Sequence, residues 1–513
     1  MVKHKNKILF FIVVIIQALY IKKIINYIKN HSETEFTKKI PVVNVKKDYF
    51  YFLQITDTHL SRKFNKYQDK AFEEFLKETE NMNYEFIIHT GDIFDSQDKF
   101  IGTRKEEYVN LVKLVKERRF HFIRGNHDIF KTTKEFNQEI AKILYNGSRE
   151  NRNIYLKVND KLILIRLLDG TPEYGTPKFY NFFGIINEPF NKLNHDLCIN
   201  MCHYPTNVLK ATNHNFKKSD AWFCGHFHSF FKYGNIFKNK GQLECVLRDF
   251  YSNSIFRIIA IYKGNLTFND VYLKKPKVVI LNPVDKNLGI EKINEKDLKF
   301  LAFGYKNIRI FIDDKEFFNY RVENELHTLK LPTKFSKISV EAENEYGQCK
   351  HEINVKTGLK LNSFPLAIPF FNVPYVFVGG YLVLLLLILH FLEKNFFVFV
   401  IRNIYNAYLP TMFVKAHDNN FIAFTATKAG MSTTFDVFYF HTFVNAAYDF
   451  ILAISFYYHL PIIFCIFHIF QLLFFYKYYG YFFRPLEDFF FVFLIISSFY
   501  KYFVKKQTKK VDD

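Results

Sequence analysis

The stretch FHFIRGNHD, residues 120–128, joins a short apolar run to a polar block and decides how the rest of the chain is interpreted. The apolar run predicts a β-strand, and the block Gly125-Asn126-His127-Asp128 begins where that strand would end. Four further blocks in the chain have the same placement after an apolar run. They are Asp57-Thr58-His59, Gly91-Asp92-Ile93-Phe94-Asp95, His203, and Gly225-His226-Phe227-His228.

Between residues 48 and 275, short apolar runs alternate with helical stretches. The runs are FLQI, FIIHT, FHFIR, LILIRLLD and CINMC, and residues 68–82 and 105–119 are predicted helices. This alternation predicts an α/β layered domain. Ligands of α/β sheets collect at the carboxyl ends of strands, so we expect the five polar blocks to meet at one place.

The residue types in these blocks suit two divalent metal ions. Carboxylate, carboxamide and imidazole groups together favour Mn, Fe or Zn over Ca, which prefers oxygen ligands alone. Asp-x-His and His-x-His are expected to place both side chains on one side of an extended segment. A metal pair about 3.5–4 Å apart needs a bridging carboxylate and can hold a hydroxide for attack on phosphorus. A single Asp-x-His is common in unrelated proteins, so the hypothesis depends on all five blocks occurring in order.

The order D-x-H, GD-x-x-D, GNH-[DE], H, GH-x-H resembles that of the calcineurin-like metallophosphoesterases, over about residues 48–275. The resemblance implies a layered β-sandwich flanked by helices, two divalent metal ions and a phosphate-ester substrate. It also implies a role for each residue of the blocks. Asp57, His59 and His228 would hold one metal, Asn126, His203 and His226 the other, and Asp92 would bridge them. His127 would stabilise the transition state or protonate the leaving oxygen, and Asp95 would position it.

The pattern changes after residue 275. Residues 276–358 contain short strand-like runs separated by turns, which predict a small immunoglobulin-like β-sandwich. Residues 366–504 predict a C-terminal bundle of transmembrane helices. The candidate spans are 370–392, 434–454, 457–476 and 487–504, with a less regular one at 395–414. The basic tail, 505–513, is expected to be cytoplasmic.

The N-terminus has a secretory pattern, in which the basic MVKHKNK precedes the apolar ILFFIVVIIQALYI. We predict that residues 1–28 form an uncleaved signal anchor, with a cleaved signal peptide as the alternative. The catalytic domain would then be lumenal or extracellular, and the protein a multi-pass component of an endomembrane, such as the endoplasmic reticulum, or of the cell surface. This layout, with FYNFFG (179–184) and HYPT (203–206), is similar to the transmembrane protein 62 group of these esterases.

Charge and cysteine content exclude several classes of protein. The net charge is +20, but the surplus Lys is scattered, and neither an Arg-rich helix nor an aromatic stacking platform occurs. We therefore expect no nucleic-acid partner. The six cysteines form no C-x-x-C pair, which excludes zinc ribbons and thioredoxin-like sites. They are interpreted as buried thiols, with a disulfide as the alternative.

The leading functional hypothesis is a membrane-anchored phosphoesterase that hydrolyses a phosphate ester by attack of a metal-bound hydroxide. A narrower alternative is a phosphodiesterase for lipid-linked or glycan-linked phosphate, since the membrane would supply such a substrate. An alternative from another class is a non-catalytic membrane scaffold or transport-associated protein. Degenerate sites usually lose ligands, and every ligand position is filled in this sequence.

Overall fold

The computed structural model divides into two compact units. One contains Ser32–Thr171 and Gly184–Leu366, and the other contains Met1–His31, Pro172–Phe183 and Ala367–Asp513. The described residues are 35–36, 41–61, 67–94, 105–129, 134–145, 152–171, 184–186, 190–211, 214–228, 236–239, 242–286, 288, 296–320, 325–332, 334–356, 410–416, 419–424 and 481–483.

An α/β domain forms the first part of the larger unit. Its strands are β1 (Glu35–Phe36), β2 (Val43–Val45), β3 (Tyr49–Ile55), β4 (Ile87–Thr90), β5 (Phe120–Ile123), β6 (Arg152–Val158), β7 (Lys161–Leu168), β8 (Gly184–Ile186), β9 (Phe190–Asn191), β10 (Leu197–Cys202), β11 (Leu209–Ala211), β12 (Ala221–Cys224), β13 (Ile236–Asn239), β14 (Gln242–Val246), β15 (Ile255–Tyr262) and β16 (Asn265–Tyr272). Its helices are α1 (Tyr67–Glu78), α2 (Lys105–Leu114), α3 (Lys134–Tyr145) and α4 (Phe250–Asn253).

Two sheets make up the centre of this domain. One has the strand order β13-β14-β12-β10-β7-β6-β2, and the other has the order β16-β15-β3-β4-β5. Strands β3, β4 and β5 are parallel to one another, as are β7, β10, β12 and β14. The facing sides of the sheets share one apolar core, which includes Phe52, Ile88, Ile165, Ile199 and Phe223. Burial of each such side chain stabilises the fold by about 1.5–3 kcal/mol.

Helices cover the other face of the five-stranded sheet. Successive strand residues point to opposite faces, so Phe52 lies between the sheets whereas Leu53 packs against the helices. Helix α1 contributes Phe72 and Phe75 to this second core, and α2 contributes Leu111. The predicted α/β fold is therefore confirmed. Both predicted helices end four or five residues early, and α3 was not predicted.

A pair of smaller sheets follows in the same unit. Its strands are β17 (Lys277–Asn282), β18 (Asp297–Phe303), β19 (Asn307–Ile312), β20 (Lys315–Tyr320), β21 (Leu326–Lys330), β22 (Lys337–Asn344) and β23 (Gly347–Asn354). The sheets have the orders β17-β18-β21 and β20-β19-β22-β23, and they share a core that includes Val278, Ile310 and Val340. Val279 belongs instead to the helix-covered core of the α/β domain. Strand β17 is thus buried on both faces and joins the two parts of the unit.

The described cysteines Cys198, Cys202, Cys224, Cys245 and Cys349 are free thiols. The first four are buried, which agrees with the interpretation of buried thiols rather than with the disulfide alternative. Cys465 lies outside the described residues.

The smaller unit contains, in its described part, β24 (Pro410–Ala416), β25 (Asn419–Phe424) and β26 (Tyr481–Phe483), which form one antiparallel sheet. Residues 410–414 of the candidate span 395–414 therefore lie in a strand, and that part of the prediction is wrong. Pro410 disfavours a helix because it lacks a backbone N–H, and it is tolerated as the first residue of a strand.

The helices of the described residues are all too short or too polar to cross a bilayer. The predicted signal anchor, the other candidate spans and the basic tail fall outside the described residues. They are 1–28, 370–392, 434–454, 457–476, 487–504 and 505–513.

The packing of β3 against the helices predicts that truncation of a buried leucine in β3 costs much more stability than truncation of an exposed leucine at the end of α2. Leu53 is fully buried whereas Leu114 is 48% exposed. We expect Leu53→Ala to lower the free energy of unfolding by about 2–5 kcal/mol, because it leaves a cavity between sheet and helices. Leu114→Ala, the matched control, should change it by about 0.5 kcal/mol or less. Chemical unfolding of the full chain measures both, and equal losses would contradict this packing.

Candidate metal centre

The proposed site lies where five strands from two sheets end. Asp57, Asp92 and Asn126 follow β3, β4 and β5, whereas His203 and His226 follow β10 and β12 of the other sheet. Backbone hydrogen bonds join the loops within each sheet. Asp57 N donates to Gly91 O at 2.9 Å, and Gly225 N donates to His203 O at 3.1 Å. The polar blocks therefore meet between two sheets rather than at the edge of one.

Two groups of side chains offer ligand atoms that lie within 4.8 Å of one another. The first group is Asp57, His59, Asp92 and His228, and the second is Asp92, His203 and His226. Asn126 joins the second group, since its Oδ1 lies 3.0 Å from His203 Nε2 and 2.9 Å from His226 Nδ1. All of these side chains are buried except that of His228, which is 34% exposed.

Asp92 belongs to both groups because its two oxygens face different neighbours. Oδ1 lies 3.5 Å from His203 Nε2 and accepts a hydrogen bond of 2.8 Å from the His127 backbone N–H. Oδ2 lies 3.9 Å from His59 Nε2 and 3.8 Å from His127 Nε2. A carboxylate in this position is suited to bridge two metal ions.

The carboxylate of Asp57 has one oxygen committed to the protein and one available. Oδ2 accepts hydrogen bonds from Thr56 Oγ1 at 2.6 Å and from His226 N at 3.1 Å. Oδ1 is buried and faces His228 Nε2 at 3.1 Å. Burial raises the pKa of Asp57, but His228, His203 and His59 outweigh it and hold the pKa well below its usual range. An ionised, buried carboxylate surrounded by imidazole rings fits a cation.

His203 shows the same fit in the second group. Burial lowers its pKa to about 4, so the ring is neutral at pH 7 and carries one proton. Nδ1 lies 2.9 Å from the carbonyl oxygen of Thr90, which accepts a hydrogen bond when that proton is on Nδ1. Nε2 then has a lone pair, and it faces Asn126 Oδ1 and His226 Nδ1 at 3.0 Å each. A metal ion between these atoms could accept the lone pairs of His203 Nε2, of Asn126 Oδ1 and, in the Nε2–H tautomer, of His226 Nδ1.

Left-handed backbone brings these side chains together. The φ angles are 50° at Asp57, 44° at His59, 54° at Asp92, 74° at His226 and 51° at His228. The expectation that Asp-x-His and His-x-His are extended is therefore wrong. Non-glycine residues adopt this conformation at a cost of about 1–3 kcal/mol each, and such residues cluster at functional sites.

Two glycines permit the close approach of the loops. A Cβ atom at Gly125 would collide with the backbone N and the Oδ1 of Asp92, and one at Gly225 would collide with Thr56 Oγ1 and Asp57 Oδ2. The glycines of the GNHD and GHFH blocks are therefore required by the packing of one loop on another.

Asp128 fastens the loop of Asp92 to the loop of Asn126. Its buried carboxylate accepts hydrogen bonds from the backbone N–H groups of Gly125 at 2.8 Å and of Ile93 at 3.1 Å. Burial raises the pKa of Asp128 to about 6, although these N–H groups lower it. The sequence contains Asp128 within GNHD but does not show which way its side chain points, so this role was missed.

His89 fastens the loop of Asp57 to the loop of Asp92. Its Nδ1 accepts from Gly91 N at 3.2 Å, so its proton is on Nε2, which lies 2.9 Å from Thr58 Oγ1. The Thr58 hydroxyl in turn donates to Ile93 O at 2.9 Å. Both ring nitrogens of His89 and the Thr58 hydroxyl thus have hydrogen-bond partners. Burial lowers the pKa of His89 to about 3. The sequence does not show this role of His89 either.

His127 is close to the metal groups without belonging to either of them. It begins a short 3₁₀ turn, His127–Ile129, and its ring meets that of His59 edge-on with centroids 4.6 Å apart. Asp95 lies outside the described residues, so the idea that it positions His127 stays a prediction.

Residues 50–230 match the family model of the calcineurin-like phosphoesterases. The chain therefore carries a calcineurin-like phosphoesterase domain. The matched segment begins in β3 and ends just after His228, so it contains the whole candidate metal centre.

The chain is also similar to Transmembrane protein 62 of Mus musculus, with 26% identity over 266 residues. The match covers 46% of this chain and 41% of the mouse protein, so it spans less than half of the length of that relative.

The His89 network predicts a pH effect on stability. Because the pKa of His89 falls from 6.5 to about 3 on folding, the unfolded chain takes up a proton that the folded chain does not. The free energy of unfolding therefore has its full value, as far as His89 is concerned, above pH 6.5. It decreases as the pH falls from 6.5 towards 3. We expect the metal-free His89→Gln variant, which keeps a donor and an acceptor but cannot titrate, to lose less stability between pH 6.5 and 4 than metal-free wild type. Equal slopes in chemical unfolding would contradict a buried neutral His89.

Proposed function

We propose that this chain is a membrane-anchored phosphoesterase that uses two divalent metal ions. The observation that carries the proposal is the sharing of Asp92 by two groups of ligand atoms. The family of the domain and the complete set of ligand positions support catalysis rather than the alternative of a non-catalytic scaffold.

In this proposal the two groups divide the metals as the resemblance implies. Asp57, His59 and His228 would hold one ion, Asn126, His203 and His226 the other, and Asp92 both. Carboxylate, amide and imidazole ligands suit Mn, Fe or Zn. When bound, the two ions would activate water and offset negative charge on the phosphoryl oxygens.

The residues of the chain would orient the ester and exclude bulk water. The ligand side chains are buried apart from His228, so a substrate would enter beside His228 and Tyr251, which are 34% and 45% exposed. The ring of Tyr251 lies 5.9 Å from that of His59. A phosphate group that reaches the metal centre from this side would leave its organic part near Tyr251.

His127 would supply a proton to the leaving oxygen. Its backbone N–H is held by Asp92 Oδ1, and its ring lies against His59, so the imidazole is fixed close to the metal groups. An imidazole can donate a proton near neutral pH, which suits an alkoxide leaving group.

Membrane attachment is the remaining part of the proposal. It is supported by the apolar stretches at 1–28 and within 366–504, and by the similarity to Transmembrane protein 62. The basic n-region before the first stretch favours a lumenal or extracellular catalytic domain.

The proposed function predicts that the purified full chain with Mn²⁺ hydrolyses at least one of two esters, bis-p-nitrophenyl phosphate and p-nitrophenyl phosphate. Asp92→Asn should lower the rate by about 10²-fold or more, because the bridging charge is lost and the reacting groups are misplaced. The preferred substrate distinguishes a diesterase from a monoesterase. The matched control is Asp160→Asn, since Asp160 is fully exposed in a turn, and it should retain wild-type activity. A folded, metal-loaded wild type that hydrolyses neither ester would favour the scaffold alternative.

The role of His127 predicts a separation of chemistry from metal binding. His127→Gln should lower kcat by about 10²–10⁴-fold while two metal ions per chain remain bound. Steady-state kinetics and elemental analysis of the same preparation measure the two quantities. Loss of a metal ion in this variant would show instead that His127 is a ligand.

A further inference from the structure

The segment that follows β14 packs directly on the first metal group. Phe250 N donates to Thr56 O and Tyr251 N donates to Asp57 O, each at 3.1 Å. These two bonds fix the segment to the backbone that carries Asp57. The ring of Tyr251 also meets the ring of His59 edge-on. One short segment thus contacts two members of the first group.

Asp249 begins this segment, and its fully buried side chain serves as the N-cap of α4. Oδ2 accepts a hydrogen bond of 2.8 Å from Ser252 N and another from Ser252 Oγ. Oδ1 accepts a bond of 2.9 Å from Asn253 Nδ2. These contacts hold the carboxylate in one orientation.

The same Oδ1 lies 3.9 Å from His228 Nδ1, while His228 Nε2 lies 3.1 Å from Asp57 Oδ1. The His228 ring is therefore placed between two carboxylates. A distance of 3.9 Å exceeds a hydrogen bond, so the influence of Asp249 on His228 is that of a fixed negative charge.

A neutral imidazole carries one proton, and Nε2 can bind a metal only if that proton is on Nδ1. A negative charge beside Nδ1 favours this tautomer and the ring orientation that goes with it. In the second group, the Thr90 carbonyl beside His203 Nδ1 favours the same tautomer of His203. Different residues therefore orient the histidine of each group.

We propose that Asp249 is a positioning residue that selects the Nδ1–H tautomer of His228 and so sets the metal affinity of the first group alone. This inference rests on the proposed dinuclear centre. Asp249 was not among the predicted site residues; it lies in the segment RDFYSN, residues 248–253, shortly after β14.

The test is calorimetric titration of the metal-free full chain with Mn²⁺. Wild type should show two binding events. Asp249→Asn keeps the cap, since Asn and Asp are equivalent at this position, but removes the charge. We expect one of the two dissociation constants to rise about 10- to 100-fold and the other to stay unchanged.

Ser252→Ala is the matched control because it removes a hydrogen bond to the same carboxylate and leaves its charge. Both dissociation constants should keep their wild-type values in this variant, and thermal unfolding of the metal-free proteins should show that all three are folded. The inference is overturned if Asp249→Asn leaves both affinities unchanged, weakens them equally, or is matched by Ser252→Ala. A wild type that binds neither Mn²⁺ nor Zn²⁺ would overturn the proposed function itself, and titration of the wild type with each ion distinguishes this outcome from a failure of the inference.

Discussion

The site depends on one buried carboxylate, that of Asp92, which faces two groups of metal-ligating side chains at once. A buried negative charge is costly unless it is paired, so its surroundings must supply compensation. The His127 backbone N–H supplies part of it, and the bound cations would add to it. Asp92 also has a left-handed backbone, and its loop is held on one side by His89 and Thr58 and on the other by Asp128. These buried residues stabilise a loop conformation that would otherwise be unfavourable.

Because the ligands come from two sheets, the packing between the sheets sets the distances within the site. Asp57 and Asp92 follow strands of the five-stranded sheet, and His203 and His226 follow strands of the seven-stranded one. The shared apolar core is close-packed, and Gln54 Nε2 also donates across the sheets to Cys224 O at 3.4 Å. A rigid core of this kind positions side chains at its edge more accurately than mobile loops could. Function is therefore linked to packing some distance from the chemistry.

The sequence predicted the parts of this arrangement that depend on local pattern. Apolar runs located the strands before each polar block, and the order of the blocks indicated the family. The sequence did not reveal the left-handed backbone at Asp57 or His228, because φ at these residues is imposed by contacts between loops that are distant in the chain. Asp128 and Asp249 were missed for a similar reason. The sequence shows that each is an aspartate, but not whether its carboxylate caps a turn or binds a metal. Apart from residues 410–414, which lie in a strand, the predicted spans and Asp95 lie outside the described residues and stay predictions.

The central claim is that two metal ions share Asp92, and the most direct measurement is electron paramagnetic resonance of the purified full chain loaded with Mn²⁺, combined with elemental analysis. A shared carboxylate predicts two Mn ions per chain and the spectrum of an exchange-coupled pair. In Asp57→Asn, weaker binding at the first group should convert this spectrum into that of a single Mn ion. A wild-type chain that binds one Mn ion, or two without magnetic coupling, would contradict the bridging role of Asp92.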